Sequence, residues 1–400
     1  MSTTVTAGAP TAAPFRERRR KSVEARALVL LSATILSFGL ATLYSASSIV
    51  AMQGGLPSAH FLLRQLSGVA VGAVAFAVAA KFDADRLYRW AWPIMALALL
   101  TMLLTVLPFT EAIAPRINGS RRFLLGASLQ PSEFAKLAVI AWTSMLVVKK
   151  GEGGLRRLTK GLLPFLLVIG ALDVIAILEP DLSAAMMFTL MMAVILFAAG
   201  ARIGHFIFLG VLGIPVLWSQ ITKLQYALLR MTSFLDPGSS AEISYQLRQS
   251  LIAVGSGGAF GLGFGQGRQQ YGFVPFGYND FIGSSVGEEW GFIGLALLVG
   301  AYAAWGWLGF RIARQARTPF LRLVAVGLTF TMVVTAYLHL GVVIGLLPTT
   351  GLTLPFISYG RSNLVLSLAM TGILVNIGSV RERVIGERAT DPLGFARAAS

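Results

Sequence analysis

Apolar residues run along this chain in repeated stretches of roughly 20, the length an α-helix needs to cross a hydrocarbon core of ~30 Å. The first run extends from Ala27 to about Val50, and others follow at 62–81, 88–108, 134–148, 161–178, 183–200, 204–222, 284–310, 320–346 and 362–380. The fourth is short as drawn, and its helix is free to begin as early as Gln130. The runs are continuous, without the period-two alternation of a barrel strand, so a transmembrane barrel is excluded. The pattern predicts an all-α polytopic membrane protein of ten transmembrane helices. No strong internal repeat is present, which argues against an inverted-repeat transporter.

Polar residues mark the ends of the spans and set their direction. With the N-terminus in the cytoplasm, the inner segments collect most of the 33 Lys and Arg residues, and the positive-inside rule places both termini on that side. Residues 1–26 form a basic tail expected to be disordered, residues 27–380 the membrane domain, and residues 381–400 a cytoplasmic C-terminal tail. Ser45-Ala46-Ser47 resembles a signal-cleavage site, but the run before it is too long for an h-region, so a retained first helix is expected. On the outer side lie a loop of about 109–133, a turn at Glu179-Pro180-Asp181, a long loop at 223–283 between helices 7 and 8, and a loop around 347–361. Within the long loop, Tyr245–Val254 is predicted to form an interfacial or re-entrant helix.

Composition sharpens this picture. Mean hydropathy is +0.72 and only 13% of residues are charged. The net charge of +15 is spread between spans and not gathered on one solvated domain, so a nucleic-acid partner is excluded. There are no cysteines and the three histidines are scattered, which leaves neither a disulfide framework nor a His/Cys metal site.

Against so apolar a background, the acids stand out. Asn279 or Asp280 is placed to cap the eighth span, and Asp280 is equally placed as a general base at an outer mouth. Glu288 and Glu289 lie deeper in the same span, where an acid is either functional or internally paired, because lipid exposure costs about 2.5–3.5 kcal/mol or more. Asp173 is alone inside span five, and Asp181 is either a functional acid or the N-cap of span six. Glu133 and Lys136 are neighbours on one helix face. Arg121 and Arg122 suit bidentate recognition of phosphate oxygens. The glycine-rich run Gly255–Gly267 lacks the strand, helix and Lys-Ser/Thr context of a nucleotide loop and is read as close backbone packing or a flexible substrate-loading loop.

Seven motifs occur in register: "LYSAS" (43–47), "NGSRRF" (118–123), "QPSEFAKLA" (130–138), "LEPDLSAA" (178–185), the run 245–267, "NDFIGSSVGEE" (279–289) and "GLLPTTGLTLPFISYG" (345–360). Together they resemble the SEDS family (FtsW, RodA and SpoVE). The resemblance implies a ten-helix enzyme of the cytoplasmic membrane that polymerises lipid II into peptidoglycan glycan strands, partnered by a class B penicillin-binding protein. It implies Asp280 as the essential aspartate, and Glu133 and Lys136 as functional residues. Asn118, Arg121, Arg122, Ser132, Asp181, Arg248 and Ser358 fall in or beside its motifs as substrate-binding candidates. The expected chemistry is a single inverting displacement, with no cofactor required beyond, at most, a divalent cation (Mg or Mn).

The motif "PTTGLTLPF" and the basic tail lean towards FtsW, hence the septum and divisome regulators as partners. A RodA-like elongation role and a lipid II flippase are the rivals. Departures from the family pattern fall at Phe123, Phe276, Tyr278-Asn279, His339 and Arg361-Ser362-Asn363.

Overall fold

A computed structural model describes residues 15–111, 113–115, 121–124, 129–155, 161–223, 225–236, 242–274, 277–385 and 388–389. Twelve α-helices appear among them. The first seven are α1 (Val23–Gln53), α2 (His60–Lys81), α3 (Arg86–Val106), α4 (Pro131–Leu155), α5 (Leu163–Leu178), α6 (Leu182–Ala198) and α7 (Ile203–Lys223). They are followed by α8 (Gln225–Leu235), α9 (Glu242–Ser256), α10 (Ile282–Arg314), α11 (Pro319–Val343) and α12 (Arg361–Ile377). Six of these, α1 to α4, α10 and α11, are long and apolar enough to cross a membrane, and α5, α6 and α12 are shorter apolar helices.

The helices start where the sequence offers caps. Ser22 accepts from the Ala25 N–H at α1 (3.1 Å), and Thr318 accepts from Leu321 N–H at α11 (3.2 Å), with Pro319 at the first helical position. Helices α4 and α11 are the most enclosed, whereas α2 turns Leu63, Val71, Val74 and Val78 outward. That outward face is the surface lipid would cover. Where α2 meets α12 the backbones approach closely: a Cβ on Gly372 would lie 2.6 Å from the Phe76 carbonyl oxygen, a contact only a small residue permits.

Three features differ from the sequence-based expectations. The N-terminal tail was expected to be disordered, yet its described part, Phe15–Lys21, forms strand β1 and pairs antiparallel with β2 (Ser379–Ile385), which pairs in turn with β3 (Arg388–Ala389). The fold is therefore helical with a small sheet joining the two termini. Ser22 N–H donates to the Gly378 carbonyl (3.1 Å) where α1 meets the end of α12, next to the Lys21–Ser379 pair of the strands. In the long segment between α7 and α10, the predicted helix is present as α9, and α8 precedes it unforeseen.

The third difference concerns α10, which is not continuous. Gly291 has φ 67° and ψ −162°, a conformation open essentially only to glycine. The break frees backbone groups, and the glycine-rich segment takes them up. Leu262 and Gly263 donate to the carbonyls of Glu288 (2.9 Å) and Glu289 (3.0 Å), while Phe292 and Ile293 donate to Gly258 (2.9 Å) and Ala259 (3.1 Å). Each such group left bare in hydrocarbon would cost several kcal/mol. A Cβ on Gly257 would sit 2.0 Å from the Gly287 carbonyl oxygen, and one on Gly261 would sit 2.1 Å from that of Glu289. Close backbone packing, and not a nucleotide loop, explains the glycines.

Candidate active site

Asp280 lies in the turn that enters α10. The N-cap of that helix is Phe281, without a side-chain cap bond, so the capping role open to Asn279 or Asp280 in the sequence is not the one they take. The turn is instead clamped by the loop before α12. Ser358 donates its hydroxyl proton to the Asn279 carbonyl (2.7 Å) and accepts from Leu354 N–H (2.8 Å), and Tyr359 N–H donates to the Tyr278 carbonyl (3.1 Å). Gln65, buried on α2, holds that loop from behind through the Ser358 carbonyl (3.1 Å) and the Gly360 N–H (3.2 Å). Phe61, Tyr278 and Tyr359 stack around the turn with ring centroids 4.5–5.8 Å apart.

His339 secures the other side. Its Nε2 accepts from Gly283 N–H (3.4 Å) and its Nδ1 donates to the Leu352 carbonyl (2.7 Å), a pattern that fixes the neutral tautomer. An asparagine side chain has the same acceptor-plus-donor capacity.

Held in this way, the Asp280 carboxyl faces charges brought from distant segments. Burial pushes its pKa up to about 6, Arg230 and Arg122 pull it down, and Asp181 pushes it up. A Cβ on Gly351 would lie 3.8 Å from Asp280 Oδ2 and 3.7 Å from Arg230 Nη2, so the carboxylate and this guanidinium flank one backbone position. Arg230 also donates to the Thr350 carbonyl (3.3 Å), as does Ser183 from the first turn of α6 (2.5 Å). Arg122 donates from Nε to the Glu179 carbonyl (3.2 Å) and from Nη2 to the Pro180 carbonyl. Asp181 caps α6, accepting from Ala184 N–H at 3.1 Å. The site thus combines a carboxylate that ionises near neutrality with two guanidinium groups. That combination can accept a proton and neutralise a departing anion.

A family model described as cell cycle protein, spanning FtsW, RodA and SpoVE, matches residues 26–383. The chain belongs to this family. It is 36% identical over 355 residues to a probable peptidoglycan glycosyltransferase FtsW of Trichlorobacter lovleyi, covering 88% of this chain and 92% of that protein. It is also 36% identical over 353 residues to stage V sporulation protein E of Bacillus subtilis, covering 88% and 95%. Among solved structures it resembles a chain of a peptidoglycan synthase complex coordinating polymerisation and crosslinking (TM-score 0.74, 27% identity, 88% and 97% covered). It likewise resembles the rod shape determining protein RodA of Thermus thermophilus (TM-score 0.62, 25% identity, 88% and 95% covered).

The other residues singled out in this FtsW/RodA/SpoVE chain fall into distinct places. Glu133 and Lys136 form a buried ion pair at 2.6 Å on the first turns of α4, beside buried Ser132. Gln130 N–H ties the start of that helix to Ser362 Oγ (3.1 Å) at the start of α12. Arg121 turns away from its neighbour Arg122, pairing with Glu111 and donating to the Leu107 carbonyl (3.2 Å). Arg248 stacks over Tyr245 on α9, 5.9 Å from the ring centroid. Asn118 lies outside the described residues. Sequence reasoning missed Arg230, because α8 was not foreseen, and Glu179, which was read only as part of a turn. The signal for Arg230 was a lone cation on the amphipathic segment Gln225–Leu235.

Glu288 and Glu289 are engaged by donors from neighbouring segments. Glu288 accepts from Arg268 N–H (2.8 Å) and Gln269 N–H (3.2 Å), and Glu289 accepts from the Ser45 hydroxyl of α1. They hold the glycine-rich segment onto α10 and α10 onto α1.

Proposed function

We propose that the protein is a peptidoglycan glycosyltransferase that polymerises lipid II, with Asp280 as its general base. The observation that carries this reading is that the Asp280 carboxylate and the Arg230 guanidinium flank Gly351, with Arg122 and Asp181 within electrostatic reach, in a chain of the FtsW/RodA/SpoVE family. In the reaction, a sugar hydroxyl oxygen attacks the anomeric carbon of the lipid-linked donor. Asp280 takes the hydroxyl proton, the bond from that carbon to the diphosphate oxygen breaks, and the diphosphate leaves with the bonding electrons. Arg122 and Arg230 offset the charge that develops on it. A single displacement of this kind inverts the anomeric carbon.

In the same reading ten helices, α1 to α7 and α10 to α12, span the cytoplasmic membrane with both termini inside, and α8 and α9 lie at the outer face. The FtsW names of the relatives favour division over elongation, hence the septum. The neighbouring synthase complex favours a class B penicillin-binding protein as partner, with divisome regulators acting on the pair. Glu133, Lys136, Ser132, Asp181, Arg248 and Ser358 belong to the binding and supporting shell, as does Asn118. A flippase is disfavoured because Glu288 and Glu289 are engaged by backbone and hydroxyl donors, and Asp173 accepts from Thr189 at 2.6 Å. Glu288 is bound at both oxygens and is not free to line a charged path through the bilayer, while one oxygen each of Glu289 and Asp173 has no hydrogen-bond partner among the described residues.

The test is glycan-strand synthesis from purified lipid II by the protein with a class B partner, comparing wild type with Asp280→Asn. The reading requires product from wild type and a loss of at least about 100-fold in the variant. Equal polymerisation by both would reject Asp280 as the base. Lipid transfer without any polymer would favour the flippase.

A further inference from the structure

The turn Glu179-Pro180-Asp181 sets two acids, two residues apart, in opposite fields. Asp181 caps the N-terminus of α6, where the helix dipole favours an anion, whereas Glu179 stands at the C-terminal cap of α5, where it opposes one. Glu179 is 2% exposed, and its Oε2 has no hydrogen-bond partner among the described residues.

Proton counting points the same way. The Thr105 hydroxyl, on α3, lies within hydrogen-bonding reach of both the Met102 carbonyl (2.5 Å) and Glu179 Oε1. A hydroxyl has one proton and a carbonyl oxygen can only accept. Both contacts are therefore satisfied together when Thr105 donates to Met102 and the Glu179 carboxyl donates to Thr105. Burial pushes the Glu179 pKa up to about 8, Asp181 adding to the shift and Thr105 and Arg122 opposing it. Those two charged groups are the ones that bear on it, and Arg122 is also the group through which it meets Asp280.

Arg122 is the beneficiary. It binds the turn through the carbonyl oxygens of Glu179 and Pro180, spending two of its five N–H groups on neutral acceptors and leaving its charge uncancelled by this neighbour. We infer that Glu179 is a positioning residue that acts as an uncharged acid, keeping the Arg122 cation available to the lipid-linked diphosphate. Ionised, Glu179 would draw Arg122 into an ion pair and take that cation from the substrate. This rests on the glycosyltransferase reading above and adds a substrate-affinity role for a residue outside the proposed chemistry.

The experiment measures KM and kcat for lipid II by wild type and Glu179→Gln, with the class B partner, from about pH 7 to about pH 9. Glutamine cannot titrate, and its amide donates to Thr105 as the protonated acid does. The expected result is a wild-type KM that rises several-fold above about pH 8 with kcat steady, and a Glu179→Gln KM that stays flat and within about threefold of wild type at neutral pH. A wild-type KM that is flat across the range overturns the inference without any variant. So does an alkaline rise that persists in Glu179→Gln, or a folded Glu179→Gln protein that loses more than about tenfold in kcat/KM at neutral pH. Arg122→Ala serves as reference: its KM should be raised at every pH. Absence of polymer from wild type at every pH would instead sink the glycosyltransferase reading, and this inference with it.

Discussion

Two groups of carboxylates lie within ten residues of each other, and the protein treats them oppositely. Glu288 and Glu289 are buried; both oxygens of Glu288 accept from the N–H groups of Arg268 and Gln269, and Glu289 Oε1 accepts from the Ser45 hydroxyl. Asp280 sits in a turn whose backbone is clamped on three sides while its carboxyl faces Arg230, Arg122 and Asp181. The first arrangement uses acids to satisfy donors and fasten a broken helix. The second fixes an acid by its backbone and leaves its side chain among charges supplied by other segments. Burial alone does not distinguish a structural acid from a reactive one. What separates them is whether the fold grips the carboxyl itself or the main chain beneath it.

Substitution should separate the two regions by readout. Asp280→Asn is expected to lower polymerisation at least about 100-fold while leaving the melting temperature near wild type. Glu288→Gln should do the reverse. Its amide would confront the donors of Arg268 and Gln269, costing about 1–3 kcal/mol of stability with a smaller loss of activity, measured by thermal unfolding in detergent. If Glu288→Gln kills turnover in a fully stable protein, the structural assignment is wrong.

Gly291→Ala follows in expected size. The Cβ would lie 2.4 Å from Gly261 N, and the φ of 67° adds about 1–3 kcal/mol of strain. The melting temperature should fall and the glycine-rich segment should become protease-sensitive.

Arg122 and Arg121 sharpen the comparison between neighbours that the sequence treats alike. Arg122→Ala should raise the lipid II KM by about tenfold or more, because a charge facing the site is lost. Arg121→Ala, which removes a half-exposed pair with Glu111, should cost about 1 kcal/mol of stability or less. Equal effects would mean that the two arginines share one role.

The pH dependence is gentler. Asp280 must be ionised to accept a proton, and its pKa is pushed up to about 6 by burial. The kcat should therefore hold above that value and fall about tenfold per unit below it. Smallest of all is His339→Asn, which preserves the acceptor for Gly283 N–H and the donor to Leu352. It should stay within about 1 kcal/mol of wild type, whereas His339→Leu should lose more. Unfolding midpoints for the pair measure the difference.

Much of this was legible in the chain itself. Continuous apolar runs required helices, because every backbone group in hydrocarbon must be satisfied within its own segment. Helices α1 to α7 and α10 to α12 accordingly lie close to the predicted runs, and α9 close to Tyr245–Val254. Asp280, Glu133 and Lys136 were visible as charges in an apolar background. The break in α10 was not legible, because a glycine at 291 reads the same in a regular helix until a second segment approaches its backbone. Nor was the site's composition. Arg122 and Arg230 come from segments more than 100 residues apart in sequence, and hydropathy carries no information about which charges will meet. Local composition determined which segments are helices and where acids are scarce. Only the packing of those helices decided that Phe281 starts α10, that Glu288 and Glu289 are engaged by donors, and that Asp280 meets two arginines. Those outcomes depend on long-range contacts that no stretch of sequence contains by itself.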